Sequence, residues 1–333
     1  MYKFNIIIPA VQQNEELIFC LKKLKNQKYK NFCTTVVLDF DNRIKLPELN
    51  FKVNKFFVGN KTMSYKRNFA SKIVKSEYIA FLDSDTYPPE KWLSNALYLL
   101  KQKKYDVVGG PNIPFPKKKN HEIITHYAKR SYFVTGYLNF RKYLAKDRLC
   151  EWLEACNFFI KRKTFLKYNG MNENKLLGED KDFFAKANQL NPNFKTFYCK
   201  KLFIYHKERS IKKFLIQRFV FGTDLFNIVK FGNNFTSFQP LLPMLILTTF
   251  IYLFFLIINN QFKLYLLLFL FLFIQIIIIL NIKNYVKKYK IIILTLILIN
   301  LANISYALGS YLSFFRINNI LKKKVYLKSR HNI

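Results

Sequence analysis

Acidic residues are scarce in this chain. Its 333 residues hold 20 Asp and Glu against 55 Lys and Arg, a formal net charge of +35, and residues 241–333 contain no acid at all. Glycine and proline are also sparse, at nine and ten, which excludes collagen-like and low-complexity chains. Hydrophobic residues make up 51% of the sequence, far too many for intrinsic disorder. The five cysteines (Cys20, Cys33, Cys150, Cys156 and Cys199) form no CxxC pair and are odd in number. That suits a reducing cytosol and argues against a disulfide frame or a zinc site. The GxGxxG and GxxxxGK[ST] fingerprints are missing, as are the nucleophile elbow and HExxH, so the usual glycine-rich phosphate cradles do not apply. A phosphate-bearing ligand would have to be held by metal and basic side chains instead. The first ten residues do not read as a signal peptide, lacking a basic start before a long apolar stretch.

What the chain does have divides unevenly. Residues 241–258, 264–282 and 291–315 are uncharged apolar runs, each long enough for a helix that crosses a bilayer. The second is apolar on every face; the third is interrupted by Asn300, Asn303, Ser305 and Ser310. Between the first two runs lies Lys263, between the second and third lie Lys283, Lys287, Lys288 and Lys290, and six basic residues follow the third. A cytoplasmic front domain satisfies the positive-inside rule for the first two loops. Three full crossings would put the most basic segment outside, so either one run, the third for preference, dips in without crossing or the tail escapes the rule.

Residues 1–225 read as a mixed domain. Short β-rich runs at 4–8, 34–38, 53–58, 78–82 and 107–108 alternate with helical periods at 14–25, 63–74 and the stretch opened by Pro88 and Pro89. That alternation predicts an α/β sandwich with a mostly parallel central sheet. Ligands in such sheets sit beyond the carboxyl ends of the strands, where this sequence places Asp39 with Asp41 and Asp83 with Asp85. Two carboxylates bracketing Ser84 after a buried strand can bind a hard divalent cation that bridges phosphate oxygens.

Several segments then carry a resemblance. Asn5-Ile-Ile-Ile-Pro-Ala, Asn14-Glu-Glu, Lys66-Arg-Asn, Ala80-Phe-Leu-Asp-Ser-Asp, Asn169-Gly-Met-Asn-Glu and Gly178-Glu-Asp-Lys-Asp occur in this order. Over roughly residues 3 to 225 the chain resembles family 2 glycosyltransferases of the GT-A fold. The resemblance implies a nucleotide-sugar donor, a UDP-sugar by expectation, and Mg2+ or Mn2+ on the diphosphate. It implies that Asp39, with Asp41 next, reads the base or ribose, and that Arg67 faces the nucleotide. Asp83 would touch ribose or donor sugar, Asp85 would ligate the metal, and His206 is a further metal candidate. Inversion at the anomeric carbon needs a base; Asp180 is the candidate, with Glu179 orienting or replacing it. Trp152, Glu154, Cys156 and Asn157 are expected to line the donor or acceptor pocket, and Arg218 to reach the diphosphate.

The residues at 211–231 read as a basic amphipathic helix, without the Gln-x-x-Arg-Trp of chain-elongating members. With at most three spans, this favours addition of a single sugar at the cytoplasmic face of the inner membrane. The acceptor is expected to be lipid-linked or a glycan, and anionic lipid to meet the basic surface. Two other readings stand beside this one: a membrane-anchored nucleic-acid-binding protein, and a transferase-like scaffold without catalysis. Lysine outnumbers arginine 45 to 10 and is scattered, so no nucleic-acid partner is expected. The intact acidic pairs argue against the scaffold.

Overall fold

The computed structural model describes residues 1–41, 47–116, 119–175, 177–225, 239–259 and 264–314. The sequence-expected segments 226–231 and 315–333, with the basic tail, lie outside the described residues. The elements begin β1 (Tyr2–Pro9), α1 (Glu15–Leu24), β2 (Phe32–Leu38), β3 (Lys52–Phe57), α2 (Met63–Ile73), β4 (Ser76–Leu82) and β5 (Thr86–Tyr87). They continue with α3 (Trp92–Lys101), β6 (Val107–Gly109), β7 (Asn112–Pro114), α4 (Asn120–Arg130), α5 (Tyr132–Thr135), β8 (Arg148–Cys150) and β9 (Asn157–Lys161). Then come α6 (Arg162–Lys167), α7 (Glu179–Leu190), β10 (Thr196–Tyr198), β11 (Ile204–His206), α8 (Ile211–Gly222), α9 (Leu242–Ile258), α10 (Leu264–Lys283) and α11 (Tyr289–Phe314).

These form two compact units, Met1–Phe115 with Phe140–Lys207, and Pro116–Asn139 with Glu208–Ile333. The sequence-expected boundary at 225 falls inside the second of these units. The apolar faces of α4 and α8 bury Ile124, Ala128 and Phe214 in one cluster with Ile278, Ile282, Leu298 and Ala302 of α10 and α11. Hydrophobic burial of those faces draws both segments into the helical unit.

The first unit is built on an eight-stranded sheet of order β3-β2-β1-β4-β9-β6-β10-β8 and a three-stranded sheet of order β5-β11-β7. The run from β3 to β4 is parallel. Its inner strands read as continuous apolar stretches because both faces are covered; β2 is buried along its whole length. Strand β9 reverses direction, pairing Leu82 with Asn157 and Ile79 with Ile160. Residues just after β4 therefore meet residues just before β9. Strand β11 runs antiparallel to β5, with His206 opposite Thr86.

One clamp explains two of the sequence motifs. Asn68 on α2 donates to Met171 O (2.8 Å) and Glu173 Oε1 (2.9 Å), and accepts from Met171 N (2.9 Å). Gly170 between them has φ +62°, and a Cβ there would lie 2.3 Å from Asn68 Oδ1. Gly170→Ala is expected to cost roughly 1–3 kcal/mol through left-handed strain and that clash, read as a lowered midpoint in urea unfolding.

In the second unit α9, α10 and α11 are long and apolar enough to cross a membrane. Three of the four polar residues that interrupt the third run are hydrogen-bonded within this unit, whereas Asn303 Oδ1 is buried without a hydrogen-bond partner among the described residues. Ser305 Oγ donates to Leu215 O at 2.8 Å, Asn300 Nδ2 to Gln275 Oε1 at 2.7 Å, and Ser310 Oγ to Tyr306 O at 2.9 Å. In hydrocarbon such pairing is what makes a polar side chain tolerable. Helices α8 and α11 cross closely at glycines: a Cβ on Gly222 would lie 2.0 Å from Tyr306 O, and one on Gly309 2.1 Å from Phe219 O.

Candidate active site

The parallel strands deliver their acidic residues to one edge of the sheet. Asp39 follows β2 and is buried against Lys66, whose ammonium lies 2.6 Å from Asp39 Oδ1 and also donates to Ala10 O. A buried ammonium is tolerated only when paired and hydrogen-bonded. Met63, Lys66, Arg67 and Ala70 share one helical face. Asp41 is exposed, accepting from Gln13 Nε2 at 3.2 Å and lying 3.9 Å from Lys55 Nζ.

Arg67 ties two acidic groups together. Its Nη2 donates to Asp83 Oδ1 at 2.8 Å and its Nη1 to Glu179 Oε1 at 2.9 Å. The guanidinium is 4% exposed. Burial opposes its charge, but Asp83 and Glu179 hold its pKa above the ordinary arginine value.

Glu179 and Asp180 open α7 behind Gly178, which takes the left-handed conformation at φ 72°. Acid in the first turn suits the positive end of the helix dipole. Asp180 Oδ2 accepts from Ala155 N (3.1 Å) and Oδ1 from Lys181 N (2.8 Å). Burial and the neighbouring Glu179 charge nevertheless raise its carboxyl to about 7. Each oxygen keeps a lone pair beyond its backbone donor, so the carboxylate can accept a proton near neutral pH.

A second cluster stands beside the first. Asp83, Cys156 and His206 each place one ligand atom within 4.8 Å of the others, and His206 Nε2 is 3.8 Å from Asp85 Oδ1. The β4–β9 reversal brings Cys156 beside Asp83, and the β5–β11 pairing brings His206 beside Asp85, whose carbonyl accepts from Lys207 N. Cys156 thus stands in a candidate mixed donor set, which a spacing rule for CxxC does not register. Burial, then Asp83 and Glu154, push the Cys156 thiol well up. Carboxylate, thiol and imidazole are chemically fit for a divalent cation.

Glu154 is held by Lys142 Nζ at 2.7 Å, with Arg141 at 3.8 Å and an amide hydrogen bond from Asn112. Burial raises its pKa, but Lys142 and Arg141 outweigh that and bring it to about 2. The Arg141 guanidinium lies 3.7 Å from the centroid of the Trp152 ring. Trp152 Nε1 is buried without a hydrogen-bond partner among the described residues.

Two expected site residues are placed otherwise. Asn157 accepts from Trp92 Nε1 (3.1 Å) and donates to Pro111 O (3.3 Å) and Leu202 O (2.8 Å). Burial commits both ends of this amide to the scaffold around β9. Arg218 belongs to the second unit, its guanidinium 4.6 Å from the Tyr306 ring, and is not among the residues that the first unit assembles.

A mostly parallel α/β sheet with Asp39 and Asp83 at its strand ends, an Asp-Ser-Asp turn and an acidic helix start is the architecture of the GT-A fold. The sequence model described as Glycosyl transferase family 2 matches residues 5–168, just under half of the chain. No curated protein matches it by sequence. Among solved structures, mannosyltransferase PcManGT from Pyrobaculum calidifontis, in complex with GDP-Man and Mn2+, matches 94% of this chain and 87% of its own at 11% identity, TM-score 0.61. S. aureus TarS 1–349 in complex with UDP-GlcNAc matches 72% of this chain and 69% of its own at 18% identity, TM-score 0.45. The match spans 41% of the longer TarS structure. At these identities the likeness is one of fold.

Proposed function

We propose that the enzyme is a membrane-bound inverting glycosyltransferase that moves a single sugar from a nucleotide-sugar to a lipid-linked or glycan acceptor. The observation that carries this reading is the raised Asp180 carboxyl at the start of α7, joined through Glu179 and Arg67 to Asp83. In a single displacement the acceptor hydroxyl attacks the anomeric carbon, its proton passes to Asp180, and the bond to the diphosphate breaks on the opposite face. Inversion follows from that geometry. Asp39, set by Lys66, is suited to the base or ribose, with Asp41 at the exposed side. Asp83, Asp85 and His206 would hold a divalent cation, whose chemistry is to neutralise charge developing on the leaving diphosphate.

Glu154 and Trp152, fixed by Arg141 and Lys142, are proposed to contact donor or acceptor. The three apolar helices support membrane attachment, with the catalytic domain on the cytoplasmic side of the inner membrane and anionic lipid against its lysines. The boundary for the transferase stays near 225 as a functional limit, α8 included. Arg218 carries no role in this scheme.

Full-length protein in detergent, given a panel of UDP- and GDP-sugars with an acceptor-lipid extract, is expected to release nucleoside diphosphate with a UDP-sugar. Release should stop on chelation of divalent metal. Absence of release or of metal-dependent thermal shift across the whole panel would overturn the reading.

A further inference from the structure

We propose that Cys156 Sγ is a direct ligand of the divalent cation, so that Asp83, Cys156 and His206 form a mixed oxygen, sulfur and nitrogen site that takes a transition-metal dication such as Co2+ or Zn2+ in preference to Mg2+. The inference rests on the proposed transferase only for the cation's place beside a diphosphate; binding itself requires no donor.

Three observations carry it. The three ligand atoms lie mutually within 4.8 Å, brought there from the end of β4, the approach to β9 and the end of β11. Secondly, His206 Nδ1 sits 2.8 Å from Lys207 O. A carbonyl can only accept, so Nδ1 carries the hydrogen, and in the neutral ring the Nε2 lone pair faces Asp85 Oδ1 at 3.8 Å. A second ring nitrogen tied to a carbonyl is the usual support of a metal-bound histidine.

Thirdly, the thiol is positioned. Cys156 is 7% exposed, and Asn112 Nδ2 donates to its sulfur at 3.0 Å while also donating to Glu154. Arg67 engages Oδ1 of Asp83, leaving the other oxygen for a ligand. Mg2+ demands octahedral oxygen coordination and dehydrates reluctantly. Thiolate and imidazole shift the preference toward Co2+ and Zn2+.

The test is Co2+ titration of metal-free, full-length protein in detergent without nucleotide. The expected result is one equivalent bound with a near-ultraviolet sulfur-to-cobalt charge-transfer band that millimolar Mg2+ does not remove. Cys156→Ser should abolish the band and weaken Co2+ binding by about tenfold or more, whereas Cys20→Ser should keep it. X-ray absorption at the cobalt edge of the unmodified protein should count one sulfur, which guards against a variant that does not fold. A cobalt complex without the band or the sulfur scatterer, a band that survives Cys156→Ser, or equal competition by Mg2+ overturns the proposal. A cobalt–sulfur band with no thermal shift from any nucleotide-sugar would instead sink the transferase reading and leave the site standing.

Discussion

Asp180→Asn is expected to lower kcat about thousandfold while KM for the donor stays within a few-fold. A positioned base contributes on the order of 10²–10⁴ to a rate, and the amide cannot accept a proton. The parent activity should climb with pH through about 7, where the Asp180 carboxyl loses its proton. Stability moves the other way. An acid whose folded pKa is raised favours the folded state while protonated, and that contribution is lost as pH rises through the folded value. The Tm of the variant relative to the parent should therefore improve from about pH 4 to about pH 7 and then level off. An unchanged pH profile in the variant, or near-normal kcat, would remove Asp180 from the chemistry.

Arg67→Ala is expected to damage the site by a different route. The guanidinium is 4% exposed and holds Asp83 and Glu179 apart as separate partners. Its removal leaves two carboxylates without their shared cation, at a cost of about 2 kcal/mol, below the range for fully buried pairs because Asp83 is a third exposed. Arg67 also interacts electrostatically with Asp180. Without it the Asp180 carboxyl should titrate higher, moving the rising limb of the rate profile to higher pH. Arg67→Lys restores one positive charge but cannot bridge both acids, since an ammonium lacks the planar fork. It should return the pH limb more fully than the rate. A purely structural arginine would lower Tm without moving that limb.

Much of the parallel half of the sheet was legible in the sequence. The β1, β2 and β4 strands are apolar runs, the last two stopping on acid, and α1 and α2 show helical spacing. The reading put Asp39 and Asp83 at the ligand-facing edge that parallel strands share, whereas Glu179 and Asp180 entered it only through the family resemblance. What it missed depends on direction. Nothing in the residues at 157–161 says that β9 runs antiparallel to β4, so Cys156 was grouped with pocket residues and Asn157 was expected to face a ligand. The two- and three-residue strands β5, β7 and β11 are too short for periodicity to detect, and His206 owes its place to them. Lys66 was hidden by composition, one lysine among 45. Arg218 and the division of the units turned on packing of α4 and α8 against α11, which an amphipathic pattern alone does not assign to a partner.

The antiparallel entry of β9 has a consequence for biosynthesis. Residues 1–115 supply β1 to β7, and with them Asp39, Lys66, Arg67, Asp83 and Asp85. The partners that give those groups their chemistry arrive much later: Cys156 with β9, Glu179 and Asp180 with α7, His206 with β11. A chain emerging from the ribosome at that earlier stage holds a buried arginine and an Asp-Ser-Asp turn whose counterparts are still unmade. Pairings of such long sequence separation form late and slowly. A chain truncated between β5 and α7 is therefore expected to present Asp83 and Asp85 without Glu179, Asp180 and His206.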